Sequence, residues 1–142
     1  TDEAPAAIGP SSQAILTGST LWMSGQIPLD TKTMQIVAGG LAAPAKRVFD
    51  NMRAVLTSAG GTFDDIVKLS ILLVDLGEFA KVNEVMAGNF NAPYPARSTY
   101  QVAALPRGAR IEVEAVAVLP PSETKAARQT GWRESFDETK AA

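Results

Sequence analysis

With 142 residues, the chain is long enough for one domain with a real core and too short for two. Its 46% hydrophobic and 20% charged residues are the composition of an ordinary globular protein. A formal charge of −2, with no cluster of Lys and Arg, argues against nucleic-acid binding, which draws on concentrated cationic charge. Cys and His are both absent. Disulfides, thiolate nucleophiles and imidazole bases are therefore excluded, and a zinc site would have to be built from carboxylates alone. Any catalysis falls to Asp, Glu, Arg, Lys, Ser, Thr, Tyr, backbone groups or water. No run reaches the roughly 18 apolar residues that span a bilayer, so no membrane partner is expected. The start, Thr1-Asp2-Glu3-Ala4-Pro5, is acidic and lacks the basic flank of a secretory signal. The expectation is a cytoplasmic protein.

Residues 13–16 and 20–26 read as two short strands with Gly18 in the turn between them. Leu21 and Met23 alternate with Trp22 and Ser24. Residues 32–37 offer a short edge strand. Residues 41–59 are the clearest helix: Leu41, Ala45, Val48, Phe49, Met52, Val55, Leu56 and Ala59 recur at three- and four-residue steps. Pro44 suits its first turn, and Gly60-Gly61 its end. Residues 66–74 form a strand with Val67, Leu69, Ile71 and Leu73 on one face and Lys68, Ser70, Leu72 and Val74 on the other. Asp75 with Glu78 three residues on predicts a capping box for a second helix running to about residue 90. Its apolar face is Phe79, Val82, Val85 and Met86. Pro93 and Pro95 make residues 92–95 an extended linker. Residues 97–103 form a strand, Pro106-Arg107-Gly108 a turn, and residues 110–118 a last strand that Pro120-Pro121 stops. The fold class is therefore α+β, one sheet backed by two helices. Residues 1–121 make the domain. Residues 122–142 are a polar extension whose Trp132 and Phe136, four apart, are expected to dock on the body or on a neighbouring chain.

Three places hold residue types suited to chemistry. Arg97 follows Pro95 at a strand start, where a guanidinium can grip a carboxylate with two parallel hydrogen bonds; a surface Arg or half of an ion pair is the plainer reading. Glu112 and Glu114, two apart on the last strand, share a face with Arg110, while Ile111, Val113, Ala115 and Ala117 point the other way. That polar face is either solvated or buried by self-association; a carboxylate in the second setting has a raised pKa and can serve as a base toward water. In Trp22-Met23-Ser24-Gly25-Gln26-Ile27-Pro28, Gly25 would admit a ligand close to the backbone and Ser24 offers a hydroxyl; a strand ending in a Gly-Pro turn explains the same residues. Asn83, on the second helix, faces either a ligand or solvent.

These segments occur in one order, and together they carry a resemblance. Residues 4–10, Ser24-Gly25-Gln26-Ile27-Pro28, Asp50-Asn51 and Val82-Asn83 are similar to the corresponding stretches of the RidA (YjgF-like) reactive-intermediate deaminase family. The stretch from Pro95-Ala96-Arg97-Ser98-Thr99 through Leu105-Pro106-Arg107-Gly108 to Ile111-Glu112-Val113-Glu114-Ala115 resembles the family signature over its whole length. The resemblance covers residues 4 to about 119. It implies a chorismate-mutase-like fold, with three chains joining their sheets into a central barrel as a homotrimer and active sites in the clefts between subunits. It implies hydrolysis of 2-imino acids, of the 2-iminobutanoate and 2-iminopropanoate type, to 2-keto acids and ammonia, with no metal and no organic cofactor. By the same resemblance Arg97 binds the substrate carboxylate and Glu112 handles the attacking water. Thr99 supplies backbone contacts, and Ser24, Gly25 and Asn83 line the pocket.

Two departures from the family pattern stand out. Many members have Tyr after the Gly-Pro near the N-terminus, with its hydroxyl reaching the pocket; here Gly9-Pro10 is followed by Ser11, which spans that distance only through a bridging water. The extension after Pro121 has no counterpart in the typical member. Both features motivate a competing reading, a trimeric small-carboxylate-binding or chaperone-like module with little catalysis. Nuclease or translation-inhibitor activity is a third option, which the acidic balance and the absence of His oppose.

Overall fold

In the computed structural model, which describes residues 1–121, five strands form one mixed sheet and two helices pack on it. The strands are β1 (Ala14–Thr17), β2 (Thr20–Gln26), β3 (Ile66–Leu73), β4 (Ala96–Gln101) and β5 (Ile111–Val118). The helices are α1 (Ala42–Ser58) and α2 (Phe79–Ala87). The sheet order is β1-β2-β5-β3-β4. All neighbours are antiparallel except β3 and β4, which are parallel. A parallel pair needs a crossover, and α2 provides it.

Alternation on the central strands builds the core. Leu21 and Met23 of β2, Leu69, Ile71 and Leu73 of β3, and Ile111, Val113, Ala115 and Ala117 of β5 are all buried. Against them α1 buries Ala45, Val48, Phe49, Met52, Val55 and Leu56, and α2 buries Val82 and Met86. Burial of each larger side chain contributes about 1.5–3 kcal/mol, which outweighs the modest helix propensity of Val48, Phe49 and Val55. Phe49 meets Phe63 and Phe90 edge-on at 6.2 and 5.9 Å, and those two rings stack at 4.9 Å. α1 ends as its glycines dictate. Gly60 takes a left-handed φ of 86°, its N–H bonds Thr57 O, and the Gly61 N–H bonds Leu56 O at 2.8 Å.

Four expectations need correction. Residues 32–37 do not form an edge strand; a single bridge pairs Leu29 with Ile36. Asp30 Oδ1 accepts from the N–H groups of Lys32 and Thr33, both at 2.9 Å, and Met34 turns left-handed, so the chain reverses before a strand can extend. Those backbone donors hold the Asp30 carboxyl below its ordinary pKa. Val67 does not share the inner face of β3. The register against β5 shifts between Ile66 and Lys68, so that Ile66 is buried and Val67 exposed. Asp75 and Glu78 do not form a capping box. Asp75 accepts from the Gly77 N–H at 2.8 Å and caps the one-turn helix Leu76–Glu78, while Glu78 pairs with Arg110. α2 itself is shorter than expected, closing at Ala87. The expected docking of Trp132 and Phe136, and residues 122–142 as a whole, lie outside the described residues.

One buried polar group ties the 27–37 loop to α1. Asn51, fully buried, donates from Nδ2 to Leu29 O at 3.0 Å and accepts from Arg47 Nη1 at 3.4 Å. Asn51→Ala leaves a buried carbonyl without its donor, and should cost about 1–3 kcal/mol in chemical denaturation. An unchanged unfolding midpoint would show that the loop is held by other contacts.

Candidate functional site: two half-sites on opposite faces of the sheet

Arg97 lies on β4, the edge strand. It is in register with Leu69 of β3, so its side chain leaves the sheet on the helix-bearing face. There α2 receives it. Arg97 Nη1 donates to Asn83 Oδ1 at 2.6 Å and to Met86 Sδ at 3.2 Å. The guanidinium carbon stands 5.0 Å from the centre of the Phe79 ring. Thr99, two residues on, points the same way, and its buried Oγ1 has no hydrogen-bond partner among the described residues. Arg97 itself stays exposed. The arrangement is a cation with one end fixed and the rest open to a ligand.

Glu112 lies on β5 in register with Leu72. Leu69 and Leu72 are three residues apart on one strand, so Glu112 and Arg97 emerge on opposite faces of the sheet. Between Met23 and Gln26 the register of β2 against β5 is broken by one extra residue, so that Ser24 and Gly25 together lie opposite Glu114. Gly25 has its position for a steric reason. A Cβ there would overlap the Glu112 carboxylate, so the glycine makes room for this chain's own acid group. The Ser24 hydroxyl donates to Ser12 O at 2.5 Å, and Ser11 Oγ donates to Ile8 O at 3.2 Å. Ser11, Ser24, Gly25 and Glu112 line one cavity of about 360 Å³ together with Ile27 and Arg107. Burial raises the Glu112 pKa above the ordinary carboxylate value, and the neighbouring Glu114 charge pushes it the same way.

The candidates of the sequence thus fall into two groups. Ser11, Ser24, Gly25 and Glu112 share a cavity; Arg97, Asn83 and Thr99 cluster on the other side of the sheet, and one chain does not unite them. Arg110 does not join the polar face of Glu112 and Glu114, because it pairs with Glu78 and reaches Gly39 O. Asn83 faces neither solvent alone nor a free pocket, since it grips Arg97. Sequence reasoning missed three contributors. Arg107, read only as a turn residue, adopts a left-handed φ of 57°, donates to Met34 O at 2.9 Å and borders the Glu112 cavity. Phe79 and Met86, read as the apolar face of a helix, touch the guanidinium; a helix-face pattern identifies burial but not which charged tip rests on it. Among the described residues there is no group of three or more His, Cys, Asp or Glu able to hold a metal, and no helix long and apolar enough to cross a membrane.

Comparison with known proteins places this arrangement in context. The family model described as Endoribonuclease L-PSP matches residues 1–119. The human 2-iminobutanoate/2-iminopropanoate deaminase is 48% identical over 124 residues, 87% of this chain and 90% of that protein. Protein DfrA of Myxococcus xanthus is 50% identical over 119 residues, covering 82% of this chain and 91% of its own length. Among solved structures, RidA from the Antarctic bacterium Psychrobacter sp. PAMC 21119 superposes with a TM-score of 0.81 at 45% identity, over 84% of this chain and 96% of that one. E. coli TdcF with bound serine gives 0.80 at 40% identity, over 84% and 96%. With nearly its whole described length matched by a family model, by curated relatives and by solved folds, the chain belongs to the RidA/YjgF family.

Proposed function

We propose that this protein hydrolyses small 2-imino acids, of the 2-iminobutanoate and 2-iminopropanoate class, to 2-keto acids and ammonia. The observation that carries this reading is the pairing of two groups in a chain of this family: a held, exposed guanidinium at Arg97 and a half-buried carboxylate of raised pKa at Glu112. A 2-imino acid presents a carboxylate and an electrophilic C=N carbon. Arg97 takes the carboxylate, and so sets the position of that carbon. Ionised Glu112 accepts a proton from water as the water oxygen bonds to the imine carbon and the C=N π electrons move to nitrogen. The same carboxyl returns that proton to nitrogen, giving a carbinolamine; it then takes the hydroxyl proton and passes it to the amine as the C=O bond forms and the C–N bond breaks, and the keto acid and ammonia leave. Such a substrate is already reactive, so positioning and one acid–base group suffice.

Since Arg97 and Glu112 leave opposite faces of the sheet, the working site is formed between copies, with Arg97 from one chain and the Glu112 cavity from the next. The face bearing Glu112 has the character of a contact surface. Trp22 (54% exposed), Tyr100 (54%) and Val118 (46%) all stand on it. A homotrimer whose sheets close a central barrel meets both requirements. The names of curated relatives as imine deaminases support the reaction class. Nuclease activity, the sense of the family model's description, is not proposed: the chain is net acidic and has no His.

The first test is to generate a 2-imino acid in situ with an amino-acid oxidase and follow its decay with and without the protein. Hydrolysis no faster than in buffer, across small aliphatic substrates, would overturn the reading. Arg97→Lys should lose most of the activity, because an ammonium cannot form the planar two-point contact.

Glu112→Gln should retain keto-acid binding and lose turnover by roughly 10²–10⁴-fold, the usual contribution of a general base. Its melting temperature should hold or rise: the folded protein raises the Glu112 pKa, and therefore favours the uncharged form that Gln imitates.

Activity requires ionised Glu112, so it should fall as the pH drops through the raised pKa, earlier than for an ordinary carboxylate. Glu114→Gln removes a repelling charge and should move this acid limb to lower pH. A limb that stays in place on measuring rate against pH would separate Glu114 from the titration.

A further inference from the structure

The geometry points to Met86 as a positioning residue that, with Asn83, dictates which edge of Arg97 receives the substrate. This rests on the imine-hydrolase reading and goes beyond it. A guanidinium offers a carboxylate two forked edges: end-on, with one N–H from each of Nη1 and Nη2, or side-on, with Nε–H and one N–H of Nη2. Nη1 carries two hydrogens. Here it makes two contacts, 2.6 Å to Asn83 Oδ1 and 3.2 Å to Met86 Sδ. We assign one hydrogen to each acceptor, which closes the end-on fork and leaves the side-on fork.

The two acceptors differ in strength. Met86 is 8% exposed and belongs to the main core cluster, next to the fully buried Val82 one turn before it. Its thioether is packed among core side chains beside Arg97 and is a weak acceptor. Asn83 is the stronger acceptor, an amide oxygen at 2.6 Å against a thioether at 3.2 Å. Phe79 stands beside the guanidinium at 5.0 Å and limits its swing. Two residues of one short helix thus hold Nη1, a third flanks the guanidinium, and Nη2 and Nε are left for the ligand. A substrate carboxylate docked side-on has its plane, and hence the direction of its bond to Cα, set by α2.

The experiment uses the full chain with selectively ¹⁵N-arginine labelling, titrated with 2-oxobutanoate, the keto acid that 2-iminobutanoate would yield. Side-on docking moves the Arg97 Nε–H resonance strongly downfield; Arg97→Lys identifies the peak. Met86→Leu keeps volume and apolarity but removes the acceptor, and should weaken 2-oxobutanoate binding roughly threefold. Asn83→Ala should weaken it roughly tenfold or more. In both variants the Nε–H shift on binding should shrink, as the end-on fork becomes available; a purely structural role for Met86 would change the melting temperature and leave that shift intact. Tight binding with no movement of Nε–H, or unaltered shift and affinity in both variants, would overturn the assignment while leaving the hydrolase reading in place. Absence of any 2-oxobutanoate binding by the unsubstituted protein, together with absence of imine hydrolysis, would overturn both.

Discussion

The parity of a β-strand governs this molecule. Successive side chains leave opposite faces, so any residue's side is fixed once its register partner is known. β3 sits between β4 and β5 and transmits that parity to both. Leu69 assigns Arg97 to the helix side, and Leu72 assigns Glu112 to the other. Shifting β5 against β3 by one residue would bring Ile111 and Val113 out of the core, where they are buried with Leu69, Ile71 and Leu73; β4 buries no residue of its own, and Arg97 is held on the helix side by Asn83 and Met86. On β5 the packing of the core and the placing of Glu112 are therefore one constraint.

Within that frame the interruptions of regular pairing serve the site. The irregularity at Ser24 and Gly25 lets the Glu112 carboxylate lie against bare backbone, where a side chain would displace it. The loop after β2 is drawn against the body by Asn51 and by the contact of Arg107 with Met34 O. Both Met34 and Arg107 adopt left-handed backbone, unusual for residues with side chains. One wall of the cavity, Ile27 and Leu29, is carried on that loop. The cavity is thus formed by segments anchored to the rigid sheet and to α1 at several points.

Much of the fold was legible in the residues because its strongest signals are local. The 3.6-residue repeat from Leu41 to Ala59, the paired glycines after it and the alternation of Ile111-Glu112-Val113-Glu114-Ala115 each reflect one physical cause acting over a few residues. The misreadings arise where two local causes compete. At residues 32–37 the β-branched and apolar residues suggest a strand, but the side chain of Asp30 closes a turn first. At Val67 an alternating pattern is interrupted by a bulge, which leaves no mark in a list of apolar residues. Asp75 and Glu78 have the spacing of a capping box, yet Arg110, far away in sequence, claims the glutamate. For the site, residue types and family likeness singled out Arg97, Glu112, Gly25 and Asn83. Their grouping depends on register, and Gly25 turned out to accommodate an acid of its own chain. The roles of Phe79, Met86 and Arg107 depend on tertiary approach alone.

The separation of Arg97 from Glu112 has an electrostatic consequence. Brought within contact on one face, a guanidinium and a carboxylate would form an ion pair. A guanidinium beside Glu112 would stabilise its ionised form and lower its pKa, and the carboxylate would occupy the hydrogen bonds Arg97 needs for a ligand. Held apart by the sheet, each group keeps the state that the proposed chemistry requires. Glu112 is left with burial and the like charge of Glu114, both of which raise its pKa and make it a stronger base when ionised. Arg97 is left with neutral partners, an amide oxygen, a thioether and an aromatic ring, which orient it without cancelling its charge. In a site shared between copies the two would meet only across a bound molecule. An anionic, electrophilic substrate fits between such groups because its carboxylate satisfies the cation while its reacting carbon faces the base.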